Sequence, residues 1–253
     1  MIDTHVHLTD DRLLHQVDEV LTRALAAGVS RVLSISTDVD DARATAALAR
    51  GRAGVRCAAG VHPNYSQDAA SDFVRELRDV LTDPLVVAVG EIGLDYHHTF
   101  APHDTQRHIF ESQLALASEL RKPVVIHSRE AVADTLEVMR GFPEVCAVFH
   151  SFTGTMDEAL AILAAGYLIG FTGPITYKKN DALRDIVKAV PTDRMLVETD
   201  APYLSPEPVR KQKINEPSFV PHVARCIASV KGIALDKIEQ ATTDNADALF
   251  GRW

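Results

Sequence analysis

Short apolar runs rich in β-branched residues recur along the chain. They are Ile2–Val6, Arg31–Ser36, Val55–Ala59, Leu85–Val89, Pro123–Ile126, Val145–Phe149, Tyr167–Phe171 and Met195–Val197. The segments between them are longer and carry helical spacing. Leu13, Val17, Val20, Leu21 and Ala24 form one stripe, which stops at Gly28. Phe73, Leu77, Val80 and Leu81 form a second. Phe110, Leu114 and Ala117 form a third, before Pro123. Val132, Leu136 and Met139 precede Gly141, and Leu183, Ile186, Val187 and Val190 precede Pro191. Val223, Ile227 and Val230 predict a late helix, and Asp244–Phe250 a last one.

Strands alternating with helices read as parallel βα units. Eight such units in 253 residues match a (β/α)8 TIM barrel forming one domain over residues 1–253. A doubly wound open sheet is the rival, but no GxGxxG follows the first run and no phosphate-binding P-loop appears. The proline-rich stretch Ala201–Pro217 is predicted to be an irregular loop after the last strand.

Composition narrows the class. At 46% hydrophobic residues the chain has enough apolar side chains for a sizeable core. No apolar run approaches the roughly 18 residues of a membrane span. The start shows no basic leader or cleavage site, so a cytoplasmic protein is expected. The three cysteines, Cys57, Cys146 and Cys226, fit neither a disulfide framework nor a zinc pattern, and are expected to be reduced core thiols. The formal net charge of −9 argues against a protein that coats nucleic acid through general basicity. It leaves room for a nucleic-acid enzyme whose site carries its own cations.

The chemistry-bearing residues fall where a barrel keeps its chemistry, at the C-terminal ends of the strands. His5 and His7 close the first run, and His62 follows the third. Glu91 and then Asp95 follow the fourth, His127 and Arg129 the fifth, His150 the sixth, and Glu198 and Asp200 the eighth. The chain has 11 histidines, and His15, His97, His98, His103, His108 and His222 are read as solvated surface. His5 and His7, two residues apart on a strand, share a face and can hold one ion together. His127, His150, Glu91 and Asp200 converge on the same mouth. That is more protein ligands than one open catalytic metal needs. Two divalent ions roughly 3.5–4 Å apart are therefore expected. The mixed nitrogen and oxygen donors suit Zn, Mn, Fe, Co or Mg without choosing among them.

The ordered blocks "DTHVHL", "GVHPN", "GEIGLDY", "IHSREA", "FHSFTG", "ETDAPYL" and "NEP" run from residue 3 to residue 217. Together they resemble the TatD family of metal-dependent deoxyribonucleases, within the amidohydrolase superfamily. The resemblance implies roles residue by residue. His5 and His7 bind a first metal, Glu91 bridges two ions, and His127 and His150 bind the second. Asp200 is a ligand of the first metal and orients or deprotonates the attacking water. His62 and Arg129 correspond to residues near the substrate phosphate. Glu198 faces the same way as Asp200 and is expected to orient a ligand. One block departs from the family's late "GKRNEP": here Gln212 and Ile214 replace the glycine and the arginine. Either the neighbouring Arg210 and Lys211 take over the phosphate contact of that arginine, or the substrate preference differs.

The expected reaction is hydrolysis of DNA phosphodiester bonds, exonucleolytic in mode, with DNA single strands or ends as substrate. No membrane and no obligate protein partner are expected. His62, Arg129 and Lys213 would stabilise the charge on the reacting phosphate, and Lys178 and Lys179 add cations after the seventh strand. Tyr203 or Tyr96 would either stack on a base or pack locally. Two alternatives share the scaffold. One is a metallohydrolase acting on an ester or amide such as aminoacyl-tRNA; the other is a non-catalytic binding protein that retains its metals. A phosphatase of the other HxH barrel group would need more ligands than the strand ends supply.

Overall fold

A computed structural model describes residues 1–253. The eight strands are β1 (Ile2–Val6), β2 (Arg31–Ile35), β3 (Val55–Ala59), β4 (Val86–Asp95), β5 (Val124–Arg129), β6 (Ala147–Phe149), β7 (Leu168–Phe171) and β8 (Met195–Val197). They form one eight-stranded sheet in the order β1 to β8, and the pairs β1–β2, β3–β4, β4–β5, β5–β6 and β7–β8 are parallel. Sequential parallel order with helices between strands is the topology of a (β/α)8 barrel. The strands are buried almost throughout, as strands with helices packed outside them must be.

The helices are α1 (Asp11–Leu14), α2 (Val17–Ala26), α3 (Val39–Ala49), α4 (Phe73–Leu81), α5 (His103–Leu120), α6 (Val132–Met139), α7 (Met156–Ala164), α8 (Asp181–Ala189), α9 (Val220–Lys231) and α10 (Leu235–Phe250). Two of them, α3 and α7, escape the stripe reading. The buried face of α3 is largely alanine (Ala42, Ala46 and Ala49), and α7 buries Ala159 and Ile162 while leaving Leu160 exposed, so little hydrophobic contrast marks either. Local chemistry still starts both helices. Asp38 caps α3 through the Asp41 N–H, and Thr155 with Glu158 forms a capping box on α7.

The chain divides into two compact units, one of Met1–Ser34 with Ser151–Arg252, the other of Ile35–His150 with Trp253. In the first unit β1 and β2 pair with Ile2 opposite Arg31 and Val6 opposite Ser34, and β7 pairs with β8. The segment after β8 then returns to β1, where Val6 bridges Ala201. In the second unit β4 runs six residues past its predicted end at Val89 and carries Glu91 and Asp95 within the strand. Its register against β5 shifts between Val89 and Ile92 and resumes with Gly93 opposite His127. A Cβ at Gly93, whose φ is +139°, would stand 2.0 Å from the His127 carbonyl oxygen. Only glycine lets the two strands close there.

The cysteines are unpaired, as expected, but only Cys57 is a core thiol; Cys146 is exposed just before β6 and Cys226 is partly covered. Burial pushes the Cys57 thiol up to about 12. No helix is long and apolar enough to cross a membrane.

Candidate metal centre

In the first unit, His5 and His7 project from the end of β1 with their Nε2 atoms 3.3 Å apart. His5 is fully buried and His7 nearly so. The loop after β8 brings Asp200 to them. Its Oδ1 lies 3.8 Å from His5 Nε2 and 3.6 Å from His7 Nε2. The backbone holds this arrangement: the Asp200 N–H donates to the His5 carbonyl at 2.9 Å and the His7 N–H to Ala201 at 2.8 Å. Asp200 adopts φ +55°, a left-handed conformation that aspartate tolerates better than most residues. One ligand atom from each of the three residues lies within 4.8 Å of the others. Two imidazoles and a carboxylate at this spacing match the donor set of a divalent ion.

Asp3 stands behind the pair on the same strand face. It accepts from the Thr199 N–H at 2.9 Å and the Thr199 hydroxyl at 2.6 Å. Burial pushes its carboxyl up to about 7 against these hydrogen bonds. The buried Asn215 amide donates to the carbonyls of Thr199 (2.9 Å) and Tyr203 (2.6 Å), pinning the Asp200 loop from its far side. Glu216 is taken by Arg23, whose NH2 donates to it at 2.6 Å. Asn215 and Glu216 therefore brace the loop, while Lys213 is exposed. Glu198 is buried and accepts from the Ser151 N–H and the Thr4 hydroxyl. A Cβ at Gly170 would lie 2.6 Å from its Oε1, so that glycine makes its room.

The second unit is organised around one atom, Glu91 Oε1. His150 Nε2 lies 2.6 Å from it, His127 Nδ1 2.8 Å and His62 Nε2 3.5 Å. The rings are distinguished by what their other nitrogens meet. His127 Nε2 lies 3.0 Å from Asp95 Oδ2, which holds the proton on that nitrogen. Its Nδ1 lone pair then faces the Glu91 carboxylate, and two acceptors at 2.8 Å require a proton or a metal cation between them. Burial disfavours the charged ring, but Asp95 and Glu91 outweigh it and push the His127 pKa up to about 9. Asp95 responds in the opposite sense. Burial raises it, yet hydrogen bonds from His127 and His98 hold it well below the usual carboxylate range. His62 behaves differently: its Nδ1 accepts the Asn64 N–H at 3.1 Å, so in the neutral ring Nε2 carries the hydrogen. Its Nε2 is thus a hydrogen-bond donor, not a ligand lone pair.

Arg129 ends β5, exposed, two residues beyond His127, and stands opposite Asp95 in the β4–β5 register. Asp95 is the residue whose role sequence reading left unassigned. It fixes His127, and accepts from the N–H groups of His97 (3.0 Å) and His98 (2.9 Å). The signal was its i+4 spacing from Glu91, which puts both on one strand face once β4 is known to continue. His98, read as surface, is tied to Asp95 through Nδ1 at 2.9 Å. Tyr96 is a packing residue: its ring stacks on His103 at 3.8 Å and its hydroxyl donates to Asp134 at 2.8 Å.

A sequence model of the family described as TatD related DNase matches residues 2–251. The chain belongs to the TatD family. It is 38% identical over 258 residues to the 3'-5' ssDNA/RNA exonuclease TatD of Erwinia amylovora, covering 99% of this chain and 100% of that protein. It is 34% identical over 252 residues to YabD, an uncharacterized metal-dependent hydrolase of Bacillus subtilis, covering 99% of this chain and 98% of that one. The crystal structure of YjjV, a TatD homolog from Escherichia coli, aligns with a TM-score of 0.94 at 29% identity, over 100% of this chain and 98% of that one. Membership of the TatD family places the resemblance of the short blocks on the whole chain, and the likeness to YjjV extends it to the fold.

Proposed function

We propose that this TatD-family hydrolase is a divalent-metal-dependent nuclease that removes nucleotides from DNA ends, acting as a single domain over residues 1–253. The carrying observation is the convergence of two imidazole nitrogens on one buried carboxylate oxygen, His127 Nδ1 at 2.8 Å and His150 Nε2 at 2.6 Å from Glu91 Oε1. His5, His7 and Asp200 supply a second convergent donor set. The chemistry of both sets fits Zn, Mn or Mg. His5, His7 and Asp200 would hold one ion, and Glu91, His127 and His150 the other. Such ions supply Lewis acidity toward a phosphate oxygen and lower the pKa of water.

The chain's own residues do the rest. Asp200 accepts the proton of the attacking water. His62, whose Nε2 carries hydrogen, donates to a non-bridging phosphate oxygen as negative charge builds there. Arg129, exposed beyond His127, adds a cation for the same phosphate. Lys178, Lys179, Lys211 and Lys213 are exposed and Arg210 lies over the Tyr177 ring at 3.8 Å, a local basic surface on a chain of net charge −9. That balance favours a short strand held near its end over a long duplex coated by charge. The 3'-5' ssDNA/RNA exonuclease named among the relatives supports the same substrate class.

The test is end-labelled single- and double-stranded DNA incubated with the purified protein before and after chelation, alongside metal analysis. Loss of cleavage on chelation with recovery on adding a divalent ion is expected, and Asp200→Ala should fold normally while cutting roughly a thousandfold more slowly. Full cleavage by Asp200→Ala, or after thorough chelation, would overturn the reading.

A further inference from the structure

Tyr203 sits three residues after Asp200, with its ring centroid 6.1 Å from that of His7. It is 47% exposed, one of few large hydrophobic side chains left so open. Its surroundings hold it still. The Arg12 guanidinium lies over the ring, 4.4 Å from its centroid. Asp10 holds Arg12 in turn, accepting from Nε at 2.8 Å and NH2 at 2.7 Å. Asp10 is itself fixed as the N-cap of α1, accepting the Arg12 N–H at 2.9 Å. The Tyr203 N–H donates to Asp200 at 2.9 Å, and its carbonyl accepts from Asn215 at 2.6 Å. Leu204 and Ile214 are also exposed on this loop. Ile214 is the position where the family pattern has arginine.

We propose that Tyr203, backed by Arg12, is the stacking platform for the base of the nucleotide being removed, flanked by apolar Leu204 and Ile214. This rests on the nuclease reading above. A side chain left half open is normally mobile and costs entropy to order. Here Arg12 and the loop have already ordered it, so a base that stacks on the ring gains contact at little further cost. The partner is a base and not a phosphate for a specific reason. Asp10 occupies the guanidinium edge that would otherwise grip phosphate oxygens in a bidentate manner and neutralises its charge. What the pair offers is a flat π surface, which every base can use, so the platform is tolerant of sequence.

The experiment compares two substrates on wild type, Tyr203→Leu and Tyr203→Phe. One is a single-stranded oligonucleotide, the other bis(p-nitrophenyl) phosphate, a diester with no base. Tyr203→Leu should lower the oligonucleotide-to-diester ratio of kcat/KM by about tenfold or more, mainly through KM, and Tyr203→Phe should keep it. The slope of affinity against salt should not change in Tyr203→Leu, because no phosphate contact is lost. A 2-aminopurine placed at the 3' end should be quenched on binding by wild type and not by Tyr203→Leu. Equal losses on both substrates would mark the ring as structural and overturn the proposal. No change in the ratio, no quenching by wild type, or equal quenching by Tyr203→Leu would also overturn it. If wild type turns over the diester and leaves DNA intact, the nuclease reading fails, and the 2-aminopurine measurement, which needs no turnover, still decides the platform.

Discussion

The two candidate ligand clusters reach similar donor sets by different means. His5, His7 and Asp200 are held through backbone: a strand whose i and i+2 side chains share a face, and a loop that hydrogen-bonds back onto that strand through Asp200 and Ala201. Glu91, His127 and His150 are held through charge. One buried carboxylate oxygen gathers the rings, and a further carboxylate, Asp95, sets the tautomer of His127. The first cluster is therefore specified mainly by where the chain runs, and the second by which atoms carry protons.

Four experiments test that contrast. The largest effect is expected from Glu91→Gln, which keeps the shape and removes the charge that gathers the rings. Nuclease activity should fall by about 10²–10⁴-fold, and metal analysis should show loss of bound ion; a fully metallated Glu91→Gln would show that charge is not what organises the second cluster. Asp95→Asn should come next, costing roughly 10–100-fold in metal affinity or activity, since it frees the His127 ring without removing a ligand. Titration with a divalent ion measures this, and affinity equal to wild type would remove Asp95 from the site. Asn215→Ala acts on the backbone-held cluster instead. It deletes two buried hydrogen bonds and should destabilise the protein by about 1–3 kcal/mol, read as a lower Tm. The smallest effect concerns reactivity, with no change in fold. In the native protein a thiol reagent at pH 8 should label Cys146 quickly and Cys57 only after unfolding, because burial has pushed the Cys57 thiol up to about 12. Rapid labelling of Cys57 would mean that the β3 region opens readily.

Most of this architecture was legible in the sequence, for physical reasons. Each predicted apolar run overlaps an observed strand, because a parallel strand covered on both faces must be continuously apolar. The predicted run stops at Val89 because Gly90, Glu91 and Gly93 look like a loop; the strand persists because its polar side chains find partners inside the protein. The candidate ligand residues stand out as histidines and carboxylates closing apolar runs. Their supports do not. Asp3 pairs with Thr199 across 196 residues, and Asn215 is tied to a loop whose path no local pattern predicts. The roles of Asp95 and His98 are not readable from sequence, because hydrogen-bond geometry, and not residue type, separates a ring-orienting carboxylate from a surface one.

The sequence distances within the two clusters also bear on biosynthesis. Glu91 and His127 are 36 residues apart, and everything their cluster uses has been translated by residue 150. His5 and His7 are translated before that cluster, yet their carboxylate partner is Asp200 and their backbone anchor Ala201. A nascent chain ending before residue 199 lacks Asp200 and Ala201, the carboxylate and the backbone partner of the β1 histidines. The donor set of His5 and His7 is thus complete only once Asp200 has been translated, later than that of Glu91, His127 and His150.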